Sequence, residues 1–404
     1  MKPLEGVKVL DFTQFLSGPI CTMIMADMGA EVIKLERPLT GDMTRYSPPG
    51  KDGASTYFIS CNRGKKSVLM DLKDERQKVL FFEMVKDADV LVENYKPGTM
   101  EKFGCGYEVL KEMNPQLIYT AISGYGQDGP WSKKGGLDLV IQAVSGLMSI
   151  TGERGGEPQR CGTSVADITA GLYGAIGIMT ALYSREKTGK GEYIDVSMLD
   201  ATVSVLESAI ARYCLTGKVP APIGNRHPAG APFQPFPTKD GSVFICCPAD
   251  EQWQRLCDVL EHPEWKEDAR FFTTASRYKH EGELEKLINA VTKEWNSQEL
   301  CEVLENNNIV NGQINTIDKV VEHEQIKARR MMVEVEYPGS GSFRTTGSPL
   351  KMAGMEPQTK FKAAALGADT FTVLEKYAQE SILQDIYDPL FTKVKAAVAK
   401  KALK

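Results

Sequence analysis

The stretch GVKVLDFTQFLSGPICTMIMADMGAEVIKLERP, residues 6–38, decides the fold. GVKVLDF is a short apolar run of strand length, GPICTMIMADMGA reads as a short helix closed by Gly29, and EVIKLERP is the next strand. The cycle repeats downstream. KSVLMDL (66–72) is a strand, DERQKVLFFEMVKDA (74–88) a charged amphipathic helix and DVLVENY (89–95) a strand. GTMEKFGCGYEVLKEMN (98–114) follows as helix and LIYTAISGYG (117–126) as strand. Such alternation predicts an α/β fold, a mostly parallel sheet with helices on both faces. Ligands in that architecture sit at the carboxyl ends of the strands. The candidate site therefore lies in the segments TQFLSGP (13–19), ERPLTGDMTR (36–45), NYKPGTMEKFG (94–104) and GYGQDGPWSKKGGLD (124–138).

At 404 residues the chain exceeds the size at which one core stops growing, so two domains are expected. After a helix over 168–186, KTGKGEYIDVSM (187–198) gives a turn and strand, followed by one long helix to about Leu215. The Pro/Gly-rich passage TGKVPAPIGNRHPAGAPFQPFP (216–237) then breaks the pattern. GSVFICCP (241–248) opens a second unit of one strand and several helices that ends near Arg330. MMVEVEYPGSGSFRTTGSPLKM (331–352) reads as strands before a charged helical tail. The expected organisation is a large domain over 1–216 completed by a returning segment 331–404, a linker and active-site loop over 217–240, and a small domain over 241–330.

A net charge of −5, with no basic stripe, argues against a nucleic-acid partner and for a small one. Nine scattered cysteines without a CxxC pair read as reduced thiols, and four histidines without ligand spacing predict no metal site. The N-terminus runs straight into a strand, and no run of about twenty uninterrupted apolar residues suggests a membrane span. A cytoplasmic protein is expected.

Chemistry narrows to a few groups. The first strand-to-helix turn lacks the GxGxxG fingerprint, which disfavours a nicotinamide dehydrogenase, and Walker A and GxSxG are absent. Arg37, Arg45, Lys73, Asn94, Lys96, Lys102 and Lys134 fall after strands; converging at one sheet edge they would suit a polyphosphate ligand. In GTSVADITAG (162–171) a single carboxylate, Asp167, precedes an apolar-periodic helix whose buried face reads Leu172, Ala175, Ile176, Met179 and Tyr183. It is open to two readings. Asp167 caps the helix, with Ser164 sharing that work. Alternatively it is a nucleophile held ionised by the same N–H groups, with Gly162, Ala166, Ala170 and Gly171 leaving room for substrate.

The segments LEGVKVLDFTQFLSGP, MGAEVIKLERP, GDMTR, NRGKKSVLMDLK, VLVENYKPGTMEKFG, ISGYGQDGP, VSGLMSITG, ADITAGLYGAIGIMTALY and KTGKGEYIDVSMLDA closely resemble the class III CoA-transferases, the family of formyl-CoA:oxalate and carnitine CoA-transferases. The match is dense over about 4–216 and looser to about 365. The resemblance implies a Rossmann-like large domain, a smaller second domain and an interlocked homodimer. It places the family's nucleophile at Asp167, acting through aspartyl anhydride and aspartyl-CoA thioester intermediates. It also implies that CoA lies against Leu16 and Ser17, with Arg37, Met70, Lys73, Asn94, Tyr95, Lys96, Lys102, Gly135, Gly136 and Leu137 lining its adenosine, phosphates and pantetheine.

Two departures from the family pattern bear on specificity. Leu16 stands where the oxalate enzyme has a Gln, for which Gln14 is the candidate substitute. In RHPAGAPF, Ala229, Gly230 and Ala231 stand where a glycine-rich lid is expected. Asp138 would sit beside the nucleophile, as cap or orienting group. CoA and acyl-CoA enter as substrates, with no permanently bound cofactor, and the second substrate is a short- or medium-chain organic acid, a dicarboxylic or hydroxy acid included. Arg226 and His227 are candidates for holding a second carboxylate. The alternatives are a 2-methylacyl-CoA racemase, disfavoured because Leu137 replaces the His of that branch's GHD motif, and a non-catalytic CoA-binding protein.

Overall fold

β1 (Lys8–Asp11) and β2 (Glu31–Glu36) lie side by side and parallel, Lys8 opposite Glu31 and Asp11 opposite Lys34, joined by α1 (Ser17–Asp27). The structure, a computed structural model, describes residues 2–228 and 230–402. Four further strands complete one parallel sheet: β3 (Lys66–Leu69), β4 (Val90–Glu93), β5 (Ile118–Ser123) and β6 (Glu192–Ser197). Their order is β3-β2-β1-β4-β5-β6. The winding reverses between β1 and β4, and the crevice outside their carboxyl ends is the place such a sheet offers a ligand. β4 and β5 are buried along their whole length, which is why they read as continuous apolar runs.

The helices follow the sequence with three corrections. α2 (Thr56–Asn62) precedes β3, and α3 (Glu75–Lys86) starts at Asp74, whose carboxylate accepts the Arg76 N–H at 3.0 Å. The single helix expected over 98–114 is two, α4 (Thr99–Lys102) and α5 (Tyr107–Met113), because Gly104 turns left-handed at φ +71° between them. α6 (Asp138–Val144) and α7 (Val165–Thr188) precede β6, and the long helix expected after it is interrupted at 205–206 into α8 (Met198–Ser204) and α9 (Glu207–Thr216).

The third correction concerns the faces of α7. Its buried side is a small-residue stripe that includes Ala166, Ala170, Gly171, Gly174 and Ala175, packed against α1 and the sheet, whereas Leu172, Ile176 and Tyr183 are exposed. Small residues win the inner face because a Cβ on Gly171 would stand only 2.6 Å from the Ser17 carbonyl oxygen. By length and composition α7 alone, among the described residues, is apolar enough to cross a bilayer, and half of that window is buried inside the chain.

The chain divides into two compact units, 1–147 with 160–215 and 324–404, and 148–159 with 216–323. Segment 148–159 was expected in the large domain. It belongs with the second unit, where the Gly152 carbonyl accepts the Gly224 N–H at 3.0 Å and Arg154 pairs with Glu281. Residues 324–330, expected in the small domain, belong with the first unit.

The second unit holds three strands rather than one: β7 (Phe233–Pro237), β8 (Ser242–Cys246) and β9 (Val310–Gln313), with β8 central and antiparallel to both neighbours. The Pro-rich passage conceals β7, an edge strand where Pro235 and Pro237 are tolerated. Trp253, Leu256, Leu284, Ile288 and Leu300 close over this sheet. In the first unit, β10 (Met332–Tyr337) pairs with β11 (Gly341–Thr346) and β12 (Lys360–Lys362) and packs Val333, Val335 and Phe361 on Phe58 and Ile59 of α2. The returning chain then covers β3. Thr370 Oγ1 accepts the Leu69 N–H at 3.0 Å, and the final helix, α10 (Glu380–Ala402), adds Leu383, Ile386 and Tyr387 to the core beside α3.

Candidate active site

At the carboxyl end of β1 the chain passes through Thr13–Leu16 into α1, and at the end of β4 through Asn94–Lys96. The Asn94 side chain ties the two segments together. Its Oδ1 accepts the Gln14 N–H at 2.8 Å, its Nδ2 donates to the Gln14 carbonyl at 2.7 Å, and it reaches the Ser17 hydroxyl at 3.3 Å. Gln14's side chain lies close to the Tyr95 hydroxyl and favours its ionisation, against the burial that raises it. Ser17, buried in the first turn of α1, lies beside the Asp167 carboxylate and favours its ionised form.

Asp167 is the third residue of α7, so it is not the N-cap. Ser164 holds that position without a side-chain bond. The capping carboxylate comes from another helix. Asp138, at the start of α6, accepts the Ala166 N–H at 2.9 Å and the Asp167 N–H at 3.4 Å, and is itself fixed by Gln142 at 2.6 Å. Segment 135–137 is brought here by a backbone crossing, for a Cβ on Gly136 would lie 2.6 Å from the Gly124 Cα at the end of β5.

Burial pushes the Asp167 carboxyl up to about 7, the Asp138 charge adds to the rise, and the neighbouring Ser17 opposes it. A half-desolvated carboxylate titrating near neutrality is a stronger nucleophile and base than an ordinary aspartate. Tyr57 of α2 lies close enough to feel the Asp167 charge, and burial raises its hydroxyl further. Sequence reasoning missed Tyr57, because TYFISCN carries no motif around it. It also missed Glu93, buried at the end of β4, whose carboxyl burial pushes up to about 8 while it accepts the Tyr95 N–H at 2.6 Å.

The predicted cationic set separates into two kinds. Arg37, Lys73 and Lys96 are exposed directly after the carboxyl ends of β2, β3 and β4, joined by exposed Lys102 on α4 and Lys134 over the Trp131 ring. None of these five forms an ion pair within 4 Å among the described residues. Arg45 does not belong with them. It is buried, donating to both Glu36 oxygens at 2.6 and 2.8 Å, and has no charge to spare for a phosphate. Lys96 lies beside Gly135, its Nζ 3.7 Å from where a Cβ would stand.

Other expected positions fall as follows. Leu16 is partly buried before α1, Leu137 is 69% exposed, and the Met70 side chain is sealed in the core, leaving it no free face. Ala166, Ala170 and Gly171 are buried by packing and leave no open space; of the four small residues expected to do so, Gly162 is exposed. Gly230 and Ala231 are buried in the second unit, and Ala229 lies outside the described residues. Arg226 is already ion-paired with Glu281 and Glu285, and His227 stacks on Phe233 at 4.4 Å, so Arg226 is not a free carboxylate receptor. Among the described residues no group of three His, Cys, Asp or Glu side chains is placed to hold a metal ion.

The chain matches CoA-transferase family III over residues 4–370. It is 40% identical to an acetyl-CoA:oxalate CoA-transferase of Acetobacter aceti, over 88% of this chain and 90% of that one. It is 38% identical to a succinyl-CoA:mesaconate CoA-transferase of Haloarcula hispanica, over 93% and 96%. Among solved structures, a CAIB/BAIF family protein from Brucella suis superposes with a TM-score of 0.85 at 36% identity, covering 93% of this chain and 99% of that one.

Proposed function

The chain belongs to CoA-transferase family III, and on that premise we propose that it moves CoA from an acyl-CoA donor to a small dicarboxylic acid through covalent intermediates on Asp167. The observation that carries this reading is the Asp167 carboxyl itself, raised to about 7 beside Ser17. The carboxylate attacks the donor thioester carbonyl, forming a mixed aspartyl anhydride and expelling CoA thiolate. The thiolate attacks the aspartyl carbonyl, releasing the donor acid and leaving an aspartyl-CoA thioester. The acceptor carboxylate attacks that carbonyl, expelling CoA thiolate and forming a second anhydride. Attack of the thiolate on the acceptor acyl carbon then gives the new acyl-CoA and restores Asp167. Each step exchanges one acyl bond for another, so a preorganised oxyanion environment supplies most of the acceleration.

Arg37, Lys73, Lys96, Lys102 and Lys134 are the groups proposed for the CoA phosphates, on their exposure at the strand ends. CoA acts as a substrate that leaves with each turnover. The dicarboxylate assignment rests on the relatives' names, since oxalate and mesaconate both carry a second carboxylate. A panel of free acids with acetyl-CoA and succinyl-CoA as donors tests it: oxalate, mesaconate and glutarate are expected to be thioesterified, and turnover restricted to long-chain fatty acids would overturn it.

A homodimer completes the proposal. Helices α6 and α7 expose Leu139, Val140, Leu172, Ile176 and Tyr183, apolar side chains of the kind a second copy covers. Light scattering of the purified protein at the mass of two chains is expected, and a monomer at micromolar concentration would contradict it.

A further inference from the structure

The loop that leads into Ser17 holds an unfavourable shape. Phe15 has φ +63°, a left-handed conformation that a non-glycine residue adopts at a cost, and its ring is 48% exposed, so packing alone does not impose it. What imposes it is visible in the backbone groups, each of which is engaged by a side chain from elsewhere. The Thr13 N–H donates to Asp11 Oδ1 at 2.8 Å, and Lys34 Nζ donates to the Thr13 carbonyl at 2.7 Å. Asn94 takes both the N–H and the carbonyl of Gln14, as above. The Phe15 N–H donates to Asp42 Oδ1 at 3.3 Å, and Cys61 Sγ lies 3.5 Å from the Phe15 carbonyl.

Lys34 and Asp42 are paired at 3.0 Å with side chains 2% and 0% exposed. Burying two charges costs desolvation that their attraction roughly repays, so such a pair contributes little to stability for its own sake; its best-attested use is to fix one arrangement. Here both members spend a hydrogen bond on the loop that precedes Ser17. Resting on the reading of Asp167 as nucleophile, we infer that Lys34 and Asp42 are positioning residues for the reaction, holding residues 13–16 so that Ser17 stays against the Asp167 carboxylate. Both lie in segments that carry the family resemblance, MGAEVIKLERP and GDMTR, yet neither stood out as a site residue, because their work is on backbone atoms.

The charged and titratable groups that face Asp167 are Asp138 from α6 and Tyr57 from α2, with Ser17 from α1 as the neutral neighbour. Loosening the loop draws Ser17 away from the carboxylate and leaves the other groups in place, so ionisation of Asp167 becomes harder and the pH at which it reacts moves up. A merely structural role would reduce the amount of active protein without moving that midpoint.

The experiment follows covalent capture at the Asp167 peptide with hydroxylamine, using full-length protein and saturating acetyl-CoA or succinyl-CoA, from about pH 5 to 9. Asp42→Asn keeps an oxygen acceptor for the Phe15 N–H and is expected within about threefold of wild type with an unmoved midpoint. Asp42→Ala is expected to lose about tenfold or more with a midpoint raised by about half a unit. Asn94→Ala, half-buried and outside the ion pair, releases the same loop from its other side and is expected to raise the midpoint equally, which keeps the test decisive where Asp42→Ala does not fold. Wild-type protein that labels Asp167, with Asp42→Ala or Asn94→Ala retaining its midpoint, would overturn the inference. Wild-type protein that takes no label overturns the Asp167 reading, and this inference with it.

Discussion

Replacing Gly171 with alanine isolates the geometry on which the proposed active site depends. Gly171 lies one helical turn beyond Asp167 on α7, and an added Cβ would stand 2.6 Å from the Ser17 carbonyl oxygen and 3.2 Å from Ile20 Cγ2. Carbon–oxygen contacts relax at about 3.3 Å, so the start of α1 must retreat by about 0.7 Å. That displacement falls on Ser17, the residue beside the Asp167 carboxylate. A misplacement of about 1 Å costs on the order of 100-fold in rate, so the expected loss is roughly 10- to 100-fold, or about 1.4–2.7 kcal/mol of transition-state stabilisation. Folding suffers less. Overpacking costs about 1–3 kcal/mol, and the better helix propensity of alanine returns about 1. Gly282→Ala is the matched control, since its Cβ meets nothing within 4 Å and the substitution is expected to stabilise without touching activity. Urea denaturation and acyl exchange between succinyl-CoA and a free acid measure the two quantities. Gly171→Ala with activity within about twofold of wild type would refute the claim that the α1–α7 approach sets the catalytic geometry.

Asp167→Asn is expected to abolish transfer while stabilising the fold near neutrality: the folded carboxyl holds its proton to about 7 against 3.8 in the unfolded chain, so wild-type stability falls as pH rises between those values and the variant's does not. Denaturation curves from pH 4 to 8 check it, and the gap between the two proteins should widen with pH and level off above about 7. Asp138→Asn retains an acceptor for α7 and removes a like charge, so the midpoint of Asp167 reactivity moves down with little loss of stability; Asp138→Ala adds the loss of the cap, about 1 kcal/mol. Arg45→Lys breaks a buried two-point pair with Glu36 and is expected to lower stability by several kcal/mol at most while KM for the acyl-CoA donor stays unchanged. A raised KM without loss of stability would return Arg45 to the phosphate-binding set.

The parallel sheet was legible because most of its strands are short, largely apolar runs, and helices such as α3 show an amphipathic period between them. The position of Asp167 was legible too, but its job was not. Capping of α7 falls to Asp138, twenty-eight positions earlier in the chain, and no local pattern announces a cap supplied by another helix. Of the predicted core face Leu172, Ala175, Ile176, Met179 and Tyr183, Ala175 is buried and Met179 packs partly against the core, but Leu172, Ile176 and Tyr183 are exposed and the core takes the glycine and alanine stripe because α1 must come close. Periodicity reports that a face is apolar and says nothing of what covers it. Arg45 after β2 looks like the other cations in sequence, and only the buried Glu36 beside it reveals a structural pair. β7 was hidden for a related reason, since proline argues against a strand except at an edge, and edges are known only once the sheet is assembled.

The most direct test of covalent transfer is mass spectrometry of the full-length protein incubated with acetyl-CoA or succinyl-CoA and then hydroxylamine, with Asp167→Ala alongside. A hydroxamate on the Asp167 peptide of the wild-type protein, absent from the variant, is the predicted result. An unmodified Asp167 peptide with both donors, in protein that still exchanges CoA between acids, would contradict it.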